Sequence, residues 1–130
     1  MKKIKNKNKK KNQIKKGHYY AKSMNLRREL RGKYDKVFEE FDVIIMPTLP
    51  MAATKLPERG APLGEKIQRA FEMIGNTAPF NVTGHPAISV PCGKNSEGLP
   101  IGIQIVSKYY NEKTIYKIAY ALEQKLDLKL

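Results

Sequence analysis

The sequence has few of the residues that form cross-links and metal sites. Cys92 is the only cysteine in 130 residues, so no disulfide can form within the chain. A chain of this kind fits a reducing compartment, and we predict a cytoplasmic protein. The two histidines, His18 and His85, lie far apart in the sequence and have no paired carboxylates nearby. This pattern predicts no metal site, and no other pattern in the sequence indicates a cofactor.

Long apolar runs are also missing. No run approaches the roughly 18 residues that a membrane-spanning helix requires. The basic N-terminus is not followed by an apolar segment, so it does not resemble a secretory signal. Apolar residues still make up 41% of the chain, which is enough for a folded core. The length predicts one domain at most.

The excess of positive charge belongs to one end of the chain. The formal net charge is +13, yet residues 1–16 contain nine lysines and no acidic residue, which leaves 16 basic and 12 acidic residues, or +4, for residues 17–130. We predict a disordered lysine-rich tail at 1–16 and a folded segment at 17–130. Such a tail can contact RNA, ribosomes or an anionic membrane through phosphates. We favour a solvated extension, because the tract lacks the arginine and aromatic residues typical of nucleic-acid recognition.

Apolar periodicity predicts three helices. Apolar residues recur at three- and four-residue steps from about residue 18 to 41, from 65 to 75, and from 112 to 125. In the first helix, Glu29 and Lys33 are spaced to attract each other. Residues 76–83 are also compatible with a short helix if Pro79 lies in its first turn. The second helix presents Ile67, Ala70, Phe71 and Ile74, and the third presents Ile115, Ile118, Ala119 and Leu122.

Three apolar runs predict strands. Residues 41–46 form a near-continuous apolar run, typical of a central, doubly buried and parallel strand. Residues 87–90 form a short buried strand closed by Pro91, and residues 99–106 form another after a turn at 94–98. The order of elements indicates an α/β fold. Three such strands would leave apolar edges exposed, so we expect them to belong to a larger sheet.

Several of these segments resemble the C-terminal part of the amidase signature family. The matching stretches are FDVIIMPTLP at 41–50, NTAPFNVTGHPAISVPCG at 76–93, GLPIGIQIV at 98–106 and AYALE at 119–123. The resemblance is strongest to bacterial amidases associated with nitrile metabolism, and the glutamyl-tRNA amidotransferase A subunit shares the signature. It implies a fold with a mixed sheet flanked by helices, to which this chain gives about three strands and three to four helices. It also implies hydrolysis of a carboxylic acid amide to an acid and ammonia or an amine.

The same resemblance predicts that this chain carries no reacting group. Family members use a Ser–Ser–Lys triad whose nucleophile lies in a Gly/Ser-rich stretch, and this chain has no Gly-Ser-Ser-Gly element. Its serines are Ser23, Ser89, Ser96 and Ser107, and we assign no catalytic residue among them. The chain therefore corresponds to a C-terminal fragment that is inactive alone. Its expected partners are the missing N-terminal amidase portion and, in the complete enzyme, a small amide substrate; a homodimer is a further option.

The resemblance also suggests residues that line the substrate cavity. Thr77, Phe80 and Asn81 lie in the segment that matches the family's cavity wall, and we predict that they line the acyl or amide pocket. The alternative is structural, since Asn and Thr cap helices and Phe fills cores. We expect Ser89 to be a locally hydrogen-bonded strand serine rather than a nucleophile. We expect Gly84 and Gly102 to serve backbone geometry and close strand approach.

Three functions therefore remain open. The first is an amidase fragment that needs its missing residues. The second is a non-enzymatic binding module whose tail at residues 1–16 contacts RNA or ribosomes. The third is part of a tRNA-dependent amidotransferase subunit, which we rank last because residues 74–86 look more like the stand-alone amidases.

Overall fold

The computed structural model describes the backbone of residues 2–126 and the side chains of residues 17–126. It contains these helices and strands: α1 Lys2–Glu40, β1 Val43–Pro47, α2 Leu63–Glu72, α3 Ala78–Thr83, β2 Ala87–Lys94, β3 Pro100–Ser107 and α4 Glu112–Leu126. The chain divides into two compact units, residues 1–36 and residues 37–130. The α/β class is confirmed, as are the helices predicted at 18–41, 65–75 and 112–125, with shifted ends.

The first unit is most of helix α1. Two ion pairs at four-residue spacing lie on its exposed surface: Lys33 Nζ is 2.8 Å from Glu29 Oε1, and Arg31 Nε is 3.7 Å from Asp35 Oδ2. The predicted attraction between Glu29 and Lys33 is thus confirmed. The hydrogen bond and the positive charge of Lys33 both lower the pKa of Glu29 from its ordinary value. The side chains of residues 1–16 lie outside the described residues, so a lysine-rich tail separate from residues 17–130 stays a prediction.

The second unit is built on a three-stranded sheet with the order β1-β3-β2. Both pairings are antiparallel, with Ile45 opposite Ile105 in one and Ile88 opposite Ile105 in the other. The prediction that residues 41–46 form a central, parallel strand is therefore wrong for the described residues. The apolar run of β1 is suited to burial on both sides. Among the described strands, only β3 has a neighbouring strand on each side.

Strand β2 extends further than predicted. Pro91 was expected to end it, but the strand continues to Lys94 through a register shift between Pro91 and Gly93. Proline is tolerated in an edge strand where its missing N–H would face outward, and a bulge absorbs the extra residue. The predicted turn to β3 is confirmed: Gly98 has φ 79°, and its N–H donates to the Asn95 carbonyl at 3.0 Å.

The core lies between α4 and the β2–β3 half of the sheet. Ile105 in the middle strand is fully buried, and Val90, Ile115 and Ala119 are buried around it. Partly buried residues complete this cluster: Val43, Ile88, Ile103, Ile118 and Leu122. The predicted apolar stripe of the last helix is thus confirmed.

Helix α2 has an apolar stripe that remains exposed. Leu63, Ile67 and Phe71 recur at four-residue steps, and Ile74 follows just beyond the end of the helix; their exposures are 72%, 48%, 65% and 40%. None of the ten residues of α2 is buried. Burial of an amphipathic stripe is what normally stabilises a helix of this length. Within the described part of the chain, no helix is long and apolar enough to cross a bilayer.

Candidate functional site

Helix α3 and the residues before it form the segment for which the sequence predicts a cavity wall. Pro79 lies in the first turn of α3, where its missing N–H has no helical partner to lose. The helix stops at Gly84, which adopts a left-handed conformation with φ 83° and donates its N–H to the Phe80 carbonyl at 2.7 Å. The predicted geometric role of Gly84 is confirmed. A short, sharply ended helix fixes where its side chains lie.

The three predicted cavity residues have different environments. Phe80 is 3% exposed and belongs to the interior. Thr77 is half-buried and donates its hydroxyl to the Ile74 carbonyl at 3.3 Å. Asn81 is exposed, and its backbone N–H continues the helix by donating to the Thr77 carbonyl. Thr77 and Asn81 share one side of α3 because they are four residues apart. Their role in lining a pocket stays a prediction.

A polar junction, made of Pro47, Thr48, Asn76, Ser89, Gly102 and Gln104, lies beside this segment on one face of the sheet. Thr48 Oγ1 and Ser89 Oγ are 2.5 Å apart, across the middle strand. The hydroxyls meet over Gly102, where an added Cβ would lie 3.0 Å from both oxygens. The Thr48 N–H also donates to the Gly102 carbonyl at 2.9 Å. Gly102 thus permits the close approach that the sequence predicts.

The same junction holds the start of α3 against the sheet. Asn76 Nδ2 donates to the Pro47 carbonyl at 2.8 Å, and Gln104 Nε2 donates to the Asn76 carbonyl at 3.1 Å. Gln104 is 4% exposed, so its amide needs this partner. These two bonds fix the distance between the predicted cavity wall and strands β1 and β3.

The chemistry available at the polar junction is limited. Its side chains are hydroxyls and carboxamides, and none of them is a base that takes a proton from serine at neutral pH. The prediction that Ser89 is not a nucleophile therefore has a structural reason. Its expected local hydrogen bond is wrong, because the partner, Thr48, lies 41 residues away in the sequence, just after β1. The sequence analysis did not identify Thr48 and Gln104 as members of this junction. They could have been found as polar residues within or next to apolar strands, on the face of the sheet where Gly102 has no side chain.

A second group, around His85, is buried and structural. His85 is 4% exposed, and its Nδ1 lies 2.9 Å from Thr83 Oγ1. Tyr109 donates its hydroxyl to the Thr83 carbonyl, and its ring lies 4.7 Å from that of His85. The ring of Phe38 also packs on His85, with the ring centres 5.2 Å apart. These contacts tie the end of α3 to the loop after β3.

Two further places, Cys92 and a depression beside β2 and α4, do not bring together the reactive groups that a catalytic site needs. Cys92 is half-buried, and its thiol donates to the Ile101 carbonyl. A shallow depression at the start of β2 and α4 is lined by Pro86, Ala87, Ile88, Glu112, Ile115 and Tyr116, with Glu112 as its one charged member. Among the side chains that the structure describes, no three His, Cys, Asp or Glu residues lie close enough to hold a metal ion.

Comparison with known proteins places this arrangement in a family. The model of the family Amidase matches residues 2–116. The A subunit of glutamyl-tRNA(Gln) amidotransferase from Lysinibacillus sphaericus is 47% identical over 82% of this chain and 21% of the relative. A protein encoded in the nthA 5′ region of Rhodococcus erythropolis is 41% identical, over 83% of this chain and 54% of that protein.

Two solved structures share the fold. The A subunit of the Thermotoga maritima glutamyl-tRNA(Gln) amidotransferase superposes with a TM-score of 0.64 at 33% identity, covering 82% of this chain and 22% of that one. The 6-aminohexanoate cyclic dimer hydrolase superposes with a TM-score of 0.63 at 36% identity, covering 78% and 23%. Glutamyl-tRNA(Gln) amidotransferase subunits are thus found both among the relatives and among the solved structures, and these similarities do not support ranking the amidotransferase last. The chain belongs to the amidase family and spans about a fifth of the length of the amidotransferase subunits that it matches.

Proposed function

We propose that this chain is the C-terminal part of an amidase domain, which hydrolyses a carboxylic acid amide to an acid and ammonia or an amine. The chain supplies three strands and part of the cavity wall. The Ser–Ser–Lys triad comes from the rest of the domain, carried in the same polypeptide or on another one. The main support is its span of about a fifth of the relatives. The exposed apolar stripe of α2 further supports a larger assembly, because such a stripe is normally buried.

Within that domain the polar junction acts as a positioning element. Its hydrogen bonds from Asn76 to Pro47 and from Gln104 to Asn76 hold the start of α3 at a set distance from the sheet. Small displacements of substrate-contacting groups cost large factors in rate, so a rigid support of this kind matters for catalysis. The exposed Asn81 amide is the group on α3 best placed to hydrogen-bond an amide substrate. We propose Thr77 as the neighbouring wall, with the buried Phe80 supporting that wall from the interior.

Reconstitution tests this proposal. The whole chain is mixed with the part of the Lysinibacillus sphaericus subunit that lies outside the matched segment, and ammonia release from small carboxamides is measured. We expect hydrolysis only in the mixture, and neither polypeptide alone should release ammonia. Correctly folded polypeptides that neither associate nor hydrolyse any carboxamide would overturn the proposal.

A variant of Asn81 tests the cavity wall in the same assay. Asn81→Ala should raise KM, because the exposed amide contributes a hydrogen bond to the substrate but leaves the core unchanged. Gln68→Ala on the exposed surface of α2 is the matched control and should leave KM unchanged. Equal kinetic constants for Asn81→Ala and the unaltered chain would remove Asn81 from the wall.

The second candidate is a part of a tRNA-dependent amidotransferase, favoured by the 47% identity to the A subunit of a glutamyl-tRNA(Gln) amidotransferase. In that case the reconstituted protein should support amide transfer to glutamyl-tRNA(Gln) in the presence of the other subunits. Hydrolysis of simple carboxamides without any such transfer would favour the stand-alone amidase.

A separate proposal is that the lysine-rich segment, residues 1–16, binds RNA. If residues 1–16 contact RNA through phosphates, binding should weaken steeply with salt and should vanish when the segment is deleted. Binding that survives the deletion would exclude the segment as the contact.

A further inference from the structure

The two compact units of the chain differ in charge. Residues 1–36, which form the first unit, contain 15 basic and 2 acidic residues, or +13. Residues 37–130 contain 10 of each, so the second unit has no net charge. The excess of +4 outside the lysine-rich segment therefore lies entirely in residues 17–36, which are helical throughout. Positive charge concentrated on one helix is the electrostatic pattern of a surface that binds polyanions.

Tyr20, Arg27 and Arg31 lie on one side of α1, which we call the Tyr20 face. They are seven and four residues apart, and 3.6 residues per turn bring them within about 40° of one another around the helix. All three are exposed, Tyr20 by 68%. Arg31 Nε is 3.7 Å from Asp35 Oδ2, in a solvent-accessible pair of the kind that contributes little and that a phosphate can replace. The face thus combines an aromatic ring with two guanidinium groups, the residue types that residues 1–16 lack.

The leucines of this part of α1 lie on a different side. Leu26 and Leu30 share their side with Tyr19, about 100° around the helix from the Tyr20 face. A partner that covers these leucines would therefore leave the Tyr20 face open to solvent. Helices that lie on membranes group their aromatic residues with the leucines and away from the cations. Tyr20 lies among arginines instead, which favours a nucleic acid over a lipid surface.

We propose that the Tyr20 face binds single-stranded nucleic acid, with a base stacked on the Tyr20 ring and phosphates held by Arg27 and Arg31. Every base has a face that stacks on an aromatic ring, and a guanidinium donates paired hydrogen bonds to a phosphate. The two arginines lie about 6 Å apart along the helix axis, so they can hold separate phosphates of one strand. The nine lysines of residues 1–16 precede this face on the same helix and add positive charge. This inference goes beyond the proposed amidase function and does not depend on it.

Two matched tyrosines test the stacking contact in the whole chain. Tyr20→Ala removes the ring, and Tyr20→Phe keeps it. Tyr116→Ala is the control, because Tyr116 on α4 is 66% exposed and has an exposed lysine, Lys117, beside it, but belongs to the unit without net charge. The probes are fluorescein-labelled oligomers of uridine or of deoxythymidine, each about 16 nucleotides long. Fluorescence anisotropy gives Kd at a series of salt concentrations.

We expect Tyr20→Ala to raise Kd about fivefold or more, and Tyr20→Phe and Tyr116→Ala to change it less than about twofold. The salt dependence should be the same in all three, since the tyrosine ring carries no charge. Arg27→Gln should instead flatten the slope of log K against log salt by about 0.7, while Lys117→Gln should leave it unchanged. Circular dichroism checks that each variant is folded, and alanine is a strong helix former at an exposed position such as Tyr20.

The outcomes separate this face from the other contacts. Loss of affinity in Tyr20→Ala for either oligonucleotide supports the proposal, and a loss for only one of them identifies the sugar that is preferred. Equal Kd values for Tyr20→Ala and the unaltered chain would overturn the Tyr20 face and leave residues 1–16 as the contact. No binding of either probe at low salt would overturn both contacts, while ammonia release by the reconstituted enzyme would still decide the amidase function. Tighter binding to phosphatidylserine vesicles than to the oligonucleotides, lost in Tyr20→Ala, would assign the face to lipid and overturn the proposal.

Discussion

The two outer strands of the sheet, β1 and β2, differ in how far the apolar side chains around them are buried. On the β2 side, α4 covers the sheet, and Val90, Ile105 and Ile115 are buried together. On the β1 side, Ile45 lies opposite the fully buried Ile105 yet is 56% exposed. Residues of the same type, paired in one sheet, thus have different burial. The β2 half of the sheet is therefore covered within the chain. The β1 half presents an exposed apolar side chain, Ile45, that is suited to contact with a further partner.

The largest expected effect contrasts these two isoleucines. Ile105→Ala should lower the free energy of unfolding by about 2–5 kcal/mol, because it removes a fully buried side chain and leaves a cavity. Ile45→Ala should lower it by less than about 1 kcal/mol in the free chain, because less than half of that side chain is covered. Urea unfolding followed by circular dichroism measures both. Equal losses would contradict the contrast between the two halves.

The next effect concerns the point where β1 and β2 meet over β3. Gly102→Ala should destabilise the fold by about 1–3 kcal/mol, since its Cβ would lie 3.0 Å from two hydroxyl oxygens. Combining it with Thr48→Ala and Ser89→Ala should recover much of the loss by removing both oxygens. Gly64→Ala, where an added Cβ meets nothing within 4 Å, is the control and should not destabilise. A loss that persists in the triple variant would place the strain in the backbone instead.

A smaller effect tests whether the two outer strands are coupled through the Thr48–Ser89 hydrogen bond. Thr48→Val and Ser89→Ala, alone and together, form a double-mutant cycle. The coupling energy should be about 0.5–1.5 kcal/mol, the usual net value of one hydrogen bond. Thermal or urea unfolding of the four proteins provides it. Additive losses would show that this contact does not stabilise the sheet.

The smallest effect lies outside the sheet, on the exposed surface of α1. The pKa of Glu29 is lowered by its hydrogen bond to Lys33 and by the lysine charge. A lowered carboxyl pKa stabilises the folded state above the unfolded pKa, and this contribution disappears as the pH falls through the folded pKa. Lys33→Met should raise the pKa of Glu29 towards its ordinary value, as followed by carboxyl chemical shifts in an NMR titration. Arg27→Met is the control, and an unchanged Glu29 titration in Lys33→Met would refute the pairing.

Local patterns predicted most of the elements. The period of apolar residues located α4 and its buried stripe, because Ile115, Ile118, Ala119 and Leu122 pack on strands of the same chain. The turn before β3 was equally predictable, since Asn95 and Gly98 have the geometry that such turns require. Pro91 was misread because the effect of a proline depends on whether its strand lies at an edge, and that is a property of the whole sheet.

The site was less predictable than the fold. The role of Gly102 could be anticipated from a glycine inside a strand, but its partners, Thr48 and Ser89, lie on opposite sides of β3 and far apart in sequence. Sequence order does not reveal the register that brings them together. The central position predicted for β1 failed for a related reason. An apolar run indicates that both faces of a strand can be buried, but it does not determine how many strands lie beside it. Among the described residues, β1 has one neighbouring strand, β3.

Ammonia release from a simple carboxamide by the purified chain alone is the most direct test of the central claim. We predict no hydrolysis above the rate without protein, because the described polar junction offers hydroxyls and amides but no base, and the sequence has no serine in a glycine-rich loop. Sustained turnover by the folded chain, unaided by any other polypeptide, would contradict that claim.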